Sequence, residues 1–260
     1  IIMNKKIFFF DIDGTLADKN IIPADTITAL NKLKQLGHYI FICSGRPYIY
    51  AKEHYQKYVD GFICGNGRYI VYKDQIILDE PLTLQEVKYF VDGFMKLKCG
   101  YNFNGSYNGY AFNIEANKLL DMQNDFKHPY YIEDFKLSDI NAHMFDVHFK
   151  DEKHFNQIAK YFDDRIIFNV HSGHNSADAT VIGYDKGVGI TKLLKILNIS
   201  VEDSYAFGDG LNDIPMFKAV GHSIAMLNGV DEAKKACEYI TGDINDGGIY
   251  KALAHYKIID

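Results

Sequence analysis

The stretch K-I-F-F-F-D-I-D-G-T-L-A, residues Lys6–Ala17, decides the fold of this 260-residue chain. Its first half is a short apolar run rich in phenylalanine, which is typical of a strand buried on both faces. Asp11 and Asp13 follow at once. Carboxylates at the mouth of a buried strand lose hydration and repel each other, so a cation or a reacting group is needed to hold them. The pattern predicts a magnesium site that contains a nucleophile; the alternative is an acidic Asp-Gly turn.

The residues that follow predict a parallel sheet. Apolar residues at helical spacing indicate a helix over 25–36, and a second buried strand is predicted over 38–43. This strand runs into Ser44-Gly45-Arg46-Pro47, where Pro47 suits the first turn of another helix. Ligands of such sheets bind at the carboxyl ends of the strands, where Asp11 and Ser44 both fall. Taken alone, a serine before glycine is commonly only a helix cap.

The pattern changes near Pro81. Thr83-Leu84-Gln85-Glu86 is a capping box that opens a helix, and alternating helices and hairpins continue to about residue 182. We predict an α/β protein with a Rossmann-like parallel-sheet core over residues 1–80 and 184–260. Residues 81–183 form a separate α+β module inserted into it. The aromatic residues of 101–113 either fill the core of this module or stack on a sugar.

Composition limits the classes of partner. The net charge is -6 and the pI is about 5.9, without a long run of Lys or Arg, which argues against nucleic acid or an anionic membrane. The four cysteines are far apart and form no C-x-x-C pair, so neither a zinc site nor a disulfide framework is indicated. With no secretory signal and no run of eighteen apolar residues, we expect a cytoplasmic protein, a monomer or weak dimer, that starts naturally at Met3.

The D-I-D-G-T-L run resembles the first motif of the haloacid dehalogenase superfamily, and the other three motifs of that family follow in order. They are Ser44 in I-C-S-G-R, Lys186 in Y-D-K-G, and Asp209 with Asp213 in G-D-G-L-N-D. About 140 residues separate Ser44 from Lys186, which resembles the Cof-like hydrolases, the branch with a large cap after the second motif. The resemblance implies that the α+β module over residues 81–183 is this cap and selects the substrate. The family often has Ser or Thr before the lysine, whereas this chain has Asp185.

The resemblance implies a phosphatase that forms an aspartyl-phosphate on Asp11, with Asp13 as general acid and base. It also implies that Mg²⁺ is held by the side chains of Asp11 and Asp209 and the backbone carbonyl of Asp13, with Asp213 behind them in the metal site. Lys186 would pair with Asp11 and the phosphate.

Further residues are assigned to the substrate. By resemblance, Ser44 donates a hydrogen bond to the phosphoryl group, Gly45 contributes its backbone amide, and Asn212 adds a contact to the phosphate. The remaining candidates are the turn Asn66-Gly67 and the acidic Asp178 near the leaving group. Arg46 could reach a second anionic group on the substrate.

The predicted strand over 143–149 has a polar face, with Met144, Asp146 and His148, which looks either into the active site or into solvent. His143 and His148 could also suggest a metal site, but partners at ligand spacing are missing. We therefore expect hydrolysis of small phosphate monoesters, sugar phosphates or related metabolites, with magnesium. The alternatives are a phosphomutase that uses the same intermediate, and a non-catalytic sensor of a phosphorylated metabolite.

Overall fold

The computed structural model describes residues 5–171 and 173–260, which form two β-sheets with helices packed on them. The described strands are, in chain order, β1 (Ile7–Phe10), β2 (Tyr39–Cys43), β3 (Gly61–Cys64), β4 (Tyr69–Tyr72), β5 (Gln75–Asp79), β6 (Gly100–Asn104), β7 (Gly109–Phe112), β8 (Tyr131–Ile132), β9 (Met144–His148), β10 (Ile166–Val170), β11 (Ser176–Val181), β12 (Ser204–Gly208), β13 (His222–Ala225) and β14 (Tyr239–Ile240).

The described α-helices are α1 (Ala24–Gln35), α2 (Tyr48–Tyr55), α3 (Leu84–Leu97), α4 (Ala116–Gln123), α5 (Glu152–Tyr161), α6 (Lys186–Leu197), α7 (Ile214–Lys218), α8 (Asp231–Ala236) and α9 (Gly248–His255). Short 3₁₀ turns lie at Leu137–Asp139, Val201–Asp203, Leu211–Asp213 and Ile244–Asp246. The helix predicted after Ser44-Gly45-Arg46-Pro47 is α2, and Pro47 is its N-cap residue.

The first sheet has the strand order β14-β13-β12-β1-β2-β3-β4-β5. Its strands from β14 to β3 are parallel, and β4 and β5 add an antiparallel edge. Strand β1 lies between β12 and β2, and all four of its residues are fully buried, with Phe8 and Phe10 on one face and Ile7 and Phe9 on the other. The predicted α/β class and the doubly buried first strand are confirmed.

The sheet topology brings the motifs together. Strands β1, β2 and β12 are neighbours and parallel, so their carboxyl ends meet at one edge. Asp11, Ser44 and Asp209 each follow directly after one of these strands. Three motifs that are far apart in sequence therefore share one edge of the sheet.

The second sheet has the strand order β10-β11-β9-β6-β7-β8 and takes all its strands from the segment predicted as the cap. Neighbouring strands are antiparallel except β7 and β8. Thr83 and Glu86 form the predicted capping box at the start of α3. The short β8 was not predicted, because its two residues carry no periodic pattern. The boundaries of the two domains stay a prediction.

The aromatic residues of 101–113 mostly lie in the hydrophobic core between the second sheet and the helices packed on it. Tyr101, Phe103 and Tyr110 are buried and pack with Phe94 of α3 and Phe145 of β9. The sequence left open whether these rings fill the core or stack on a sugar. In the structure, these three rings are part of the core.

Arg68 ties both connections between the two sheets. Its Nε donates a hydrogen bond to the carbonyl of Glu80 at 2.8 Å and its Nη2 to the carbonyl of Pro81 at 3.3 Å, where the chain leaves the first sheet. The guanidinium also lies 3.9 Å from the ring centre of Tyr184, where the chain returns. One buried side chain therefore contacts both chain connections between the two sheets.

Within the described residues, no helix combines the length and apolar character needed to cross a membrane. The four cysteines are free thiols, and Cys43 and Cys64 are buried in the hydrophobic core.

Candidate active site

The centre of the site is a buried lysine between two carboxylates. Lys186 Nζ lies 2.6 Å from Asp11 Oδ1 and 2.6 Å from Asp213 Oδ1, and the lysine side chain is only 1% exposed. The Asp213 carboxylate is held in place because its Oδ2 accepts hydrogen bonds from the amides of Asp209 and Gly210, both at 2.9 Å. The first, third and fourth motifs are thus joined through one ammonium group.

Asp185 explains why a lysine can open helix α6. Its Oδ1 accepts a hydrogen bond from the amide of Val188 at 2.8 Å, so Asp185 is the N-cap of the helix. The negative charge of Asp185 at this end interacts favourably with the helix dipole, whereas the positive charge of Lys186 in the first turn interacts with it unfavourably. The ion pairs with Asp11 and Asp213 offset that unfavourable placement. The aspartate that departs from the family pattern is therefore a helix cap.

Asp209 is presented by a tight loop beside the first motif. Its Oδ1 accepts a hydrogen bond from Thr15 Oγ1 at 2.8 Å. Gly14 has a φ of +80°, and a Cβ at this position would overlap the Asp209 carboxylate. A glycine is required here both by the backbone conformation and by the close approach of the carboxylate. Thr15 was missed by the sequence reasoning, although it lies within the quoted motif.

The electrostatics of the site show an excess of negative charge. Burial raises the pKa of Asp11 to about 8, against the opposing charge of Lys186. Burial likewise raises the pKa of Asp209 to about 6. Although burial alone would lower the pKa of Lys186, the charges of Asp11 and Asp213 raise it above its usual value. One lysine does not compensate three neighbouring carboxylates, so a bound cation would be stabilised here.

The donor set fits a hard divalent cation. Asp11, Asp209 and Asp213 each offer a carboxylate oxygen, and these atoms lie within 4.8 Å of one another. In the described part of the chain this is the only such group of three or more His, Cys, Asp or Glu side chains. Carboxylate oxygens suit Mg²⁺, which favours few protein ligands together with water and phosphate oxygens.

Asp13 lies apart from this group and pairs with Arg46. The Arg46 Nε is 3.0 Å from Asp13 Oδ2, and the Asp13 side chain is about half exposed, at 54%. The backbone amide of Arg46 donates to Ser44 Oγ at 3.1 Å, and Ser44 is buried. The first and second motifs are therefore linked through Arg46, which the sequence reasoning had assigned to an anionic group of the substrate.

The turn after β3 faces the second sheet. Asn66, in the left-handed region with a φ of +53°, donates from Nδ2 to Thr180 Oγ1 at 2.9 Å. Its Oδ1 lies close to Gly45 of the second motif, at 3.2 Å from where a Cβ of that glycine would stand. Gly67 has a φ of +87°, and a Cβ there would overlap the backbone at Asp185 and Gly189. This turn therefore connects the second motif, helix α6 and strand β11.

Asn212 lies in the 3₁₀ turn between Asp209 and Asp213, and its side chain is partly exposed. A Cβ on Gly210 would stand 2.8 Å from Asn212 Oδ1. The predicted contact of Asn212 with a phosphate stays a prediction.

The polar face of β9 forms a row with its neighbours in the second sheet. Asp146 is paired in register with Asn102 of β6 on one side and with Asp178 of β11 on the other. Its Oδ2 accepts hydrogen bonds from Nδ2 of Asn102 at 2.6 Å and from Nδ2 of Asn104 at 2.9 Å. His171 Nε2 lies 2.8 Å from Asp178 Oδ1. We call these five side chains the cap row.

The cap row concentrates charge under partial burial. Burial and the neighbouring Asp178 raise the pKa of Asp146 to about 7. Burial alone would raise the pKa of Asp178, but the hydrogen bond and charge of His171 hold it below the usual value, and that hydrogen bond raises the pKa of His171. Burial thus favours the protonated form of Asp146, whereas His171 favours the ionised form of Asp178. Thr180 lies two residues from Asp178 on the same face of β11, and its contact with Asn66 joins this strand to the turn beside the second motif.

The two histidines considered for a metal site do not form one. His143 Nε2 lies 2.7 Å from Asp79 Oδ1 at the junction of the sheets. His148 Nε2 lies 2.7 Å from Asn102 Oδ1, next to the cap row. The two rings thus have separate partners on opposite faces of the strand.

A parallel α/β sheet that gathers buried aspartates around one lysine at its carboxyl edge defines a class of enzyme that hydrolyses phosphate esters. The sequence model of the haloacid dehalogenase-like hydrolases matches residues 8–253, and the chain belongs to this family.

Relatives and solved structures match along nearly the whole chain. YkrA of Bacillus subtilis is 29% identical over 269 residues, covering 99% of this chain and 100% of that protein. The 5-amino-6-(5-phospho-D-ribitylamino)uracil phosphatase YitU of the same organism is 26% identical, covering 95% of each chain. The solved structure of the subclass IIB sugar phosphatase BT4131 superposes with a TM-score of 0.83 and 26% identity, covering 98% of this chain and 100% of that one.

Proposed function

We propose that this protein is a magnesium-dependent phosphatase of small phosphate monoesters that works through an aspartyl-phosphate on Asp11. The observation that carries the proposal is the double ion pair of Lys186 with Asp11 and Asp213, beside Asp209. It supports a site in which a carboxylate is fixed for attack while positive charge is held where a phosphoryl group would bind.

In the first step, an oxygen of the Asp11 carboxylate attacks phosphorus and forms the acyl-phosphate bond. The bond from phosphorus to the leaving-group oxygen breaks, and Asp13 transfers its proton to that oxygen. Lys186 keeps Asp11 oriented through Oδ1 and offsets the charge of the incoming phosphoryl group. Ser44, at the end of β2, donates its hydroxyl hydrogen to a phosphoryl oxygen.

In the second step, the Asp13 carboxylate takes a proton from a water molecule, whose oxygen attacks phosphorus. The bond between phosphorus and Asp11 breaks, so inorganic phosphate leaves and the Asp11 carboxylate is restored. Asp13 is again protonated and ready for the next leaving group. The proposed roles of Gly45 and Asn212 are to bind the phosphoryl oxygens.

The side chains of Asp11 and Asp209 and the carbonyl of Asp13 would hold Mg²⁺, with Asp213 behind them fixing the loop. When bound, Mg²⁺ neutralises charge between the Asp11 carboxylate and the phosphoryl oxygens.

The proposed leaving group is a polyhydroxylated one, such as a sugar or a sugar alcohol. The cap row offers both hydrogen-bond donors and acceptors, which suits hydroxyl groups, and the contact of Thr180 with Asn66 joins its strand β11 to the turn beside the second motif. The relatives named for a ribityl phosphate and for sugar phosphates agree with this class. We propose that the segment 81–183 is the domain that selects the substrate through Asp178 and its neighbours, with Asn66 and Gly67 at its edge.

The test is release of free phosphate from a panel of sugar phosphates, nucleotides and p-nitrophenyl phosphate, each with Mg²⁺ and with EDTA. We expect release that needs Mg²⁺ and favours sugar phosphates. An isomerised sugar phosphate in place of free phosphate would indicate the mutase. Tight binding of a metabolite without turnover would indicate the sensor.

A further inference from the structure

The segment at residues 125–128, after helix α4, docks on the core away from the chain connections. We call it the docking segment. Its Lys127 amide donates to Glu53 Oε2 at 3.3 Å, and His128 Nδ1 lies 2.8 Å from Glu53 Oε1. Phe126 makes an edge contact with Tyr50 of α2, with ring centres 6.0 Å apart. The second sheet is thus held to helix α2 as well as at Arg68.

Arg46 connects this docking segment to the catalytic loop. Its Nη1 lies 3.1 Å from Asp125 Oδ2, while its Nε lies 3.0 Å from Asp13 Oδ2. The guanidinium also stacks over Tyr50, 4.7 Å from the ring centre. The same group therefore touches the first motif, the docking segment and helix α2.

The geometry of a guanidinium makes these contacts interdependent. The group is planar and rigid, with its donors in a fixed fork, so the carboxylate on one donor fixes the direction of the others. Asp13 is half exposed, and an exposed side chain is free to change rotamer unless a partner holds it. Asp125 thus fixes the donor that orients Asp13, although Asp125 itself belongs to the other unit.

We propose that Arg46 is a positioning residue that transmits the docking of residues 125–128 to the Asp13 carboxyl. With Asp125 bound, Arg46 holds Asp13 in the direction needed to protonate the leaving oxygen. Without Asp125, Asp13 spends less time in that direction and proton transfer slows. This inference rests on the proposed function, since it assigns the proton transfer to Asp13.

The test compares two esters that differ in their need for a proton. One ester is an alkyl phosphate, here the sugar phosphate hydrolysed fastest in the panel. Its alkoxide is a poor leaving group, so the leaving oxygen must be protonated as it departs. The p-nitrophenolate ion leaves readily without protonation.

Because Asp13 also activates the water of the second step, which both esters share, the comparison is made on the first step alone, as the single-turnover rate of leaving-group release with enzyme in excess. We expect Asp125→Asn and Arg46→Lys to lower this rate for the sugar phosphate by about 10-fold or more, and for p-nitrophenyl phosphate by no more than about threefold.

The matched control is Asp121→Asn, an exposed aspartate on α4, which should leave both rates unchanged. Equal losses on the two esters, or no loss on either, would overturn the inference, because a merely structural role does not depend on the leaving group. A parent protein that hydrolyses neither ester would instead reject the proposed function. Thermal unfolding of each variant establishes that it is folded.

Discussion

The core site and the cap row both bury carboxylates, but they hold them in different ways. At the core, Lys186 meets Asp11 and Asp213 at 2.6 Å, so two carboxylates are held by direct ion pairs with one ammonium group. In the cap row, Asp146 and Asp178 lie side by side, with amides and one histidine as partners. The first arrangement fixes charged groups for one reaction. The second holds its carboxylates by hydrogen bonds to amide groups and one histidine, which are bonds of the kind that substrate hydroxyl groups also make.

The largest effect should come from Asp11→Asn, which removes the proposed nucleophile. We expect kcat to fall by about 10³-fold or more, because an amide does not replace the carboxylate in forming the covalent intermediate. The measurement is single-turnover and steady-state phosphate release. The control is Asp18→Asn, an exposed aspartate a few residues on, which should keep its activity. Turnover retained in the Asp11 variant would exclude this residue as the nucleophile.

Lys186→Met tests the balance of charge at the core. The variant leaves two buried carboxylates without their partner, and we expect the free energy of unfolding to fall by about 3–5 kcal/mol. Urea denaturation measures it. On the same helix, Lys192 pairs with Glu80 at 2.6 Å but both are about one-third exposed, so Lys192→Met should cost under about 1 kcal/mol. Equal losses in the two variants would show that burial does not set the difference.

The cap row should govern selectivity without affecting the chemistry. We expect Asp178→Asn to lower kcat/KM for sugar phosphates by about 10- to 100-fold, since a hydrogen-bonding site loses a charged acceptor. p-Nitrophenyl phosphate, which lacks hydroxyl groups, should change by no more than about twofold. Asp163→Asn, on the exposed side of the same unit, is the control. A parallel fall for both substrates would place Asp178 in the core chemistry instead.

The smallest effect is a pH dependence of stability from Asp146. Its pKa is raised by burial from an ordinary 3.8 to about 7, so the folded state binds the proton more tightly than the unfolded state. The stability contributed by this group is therefore present below about pH 4 and is lost as the pH rises through 7. His171, whose pKa is raised by its hydrogen bond to Asp178, adds a loss of the same sign.

Asp146→Asn isolates the contribution of Asp146. Between pH 5 and pH 8 the parent protein should lose roughly 2 kcal/mol more than the variant. Urea denaturation at both pH values, without added metal, measures the difference. Identical slopes for parent and variant would mean that Asp146 is ionised throughout this range.

Much of the core could be predicted because its signals are local. The buried strand is followed directly by its aspartates, and the alternation of strands and helices can be read along the sequence. Each motif residue follows the strand that positions it. The capping box at Thr83 was equally local. Two of the three partners of Arg46 were not predictable, because Asp13 and Asp125 lie 33 and 79 residues away from it.

The cap row was beyond sequence reasoning for a different reason. Asp146 meets Asn102 and Asp178 only because β9 pairs with β6 and β11 in one register, and a shift of one residue would turn each side chain to the opposite face. The sequence identified the polar face of this strand but not its neighbours. It also gave no pattern for the two-residue strand β8.

Arg68 has a mechanical consequence. It binds the carbonyls of Glu80 and Pro81 on the outgoing connection and stacks on Tyr184 of the returning one, so both chain connections between the sheets are held by the same side chain. The docking segment gives the second sheet another attachment, on helix α2. A rotation of the second sheet about Arg68 would therefore stretch the contacts of the docking segment, so the two attachments together fix one orientation of the sheet.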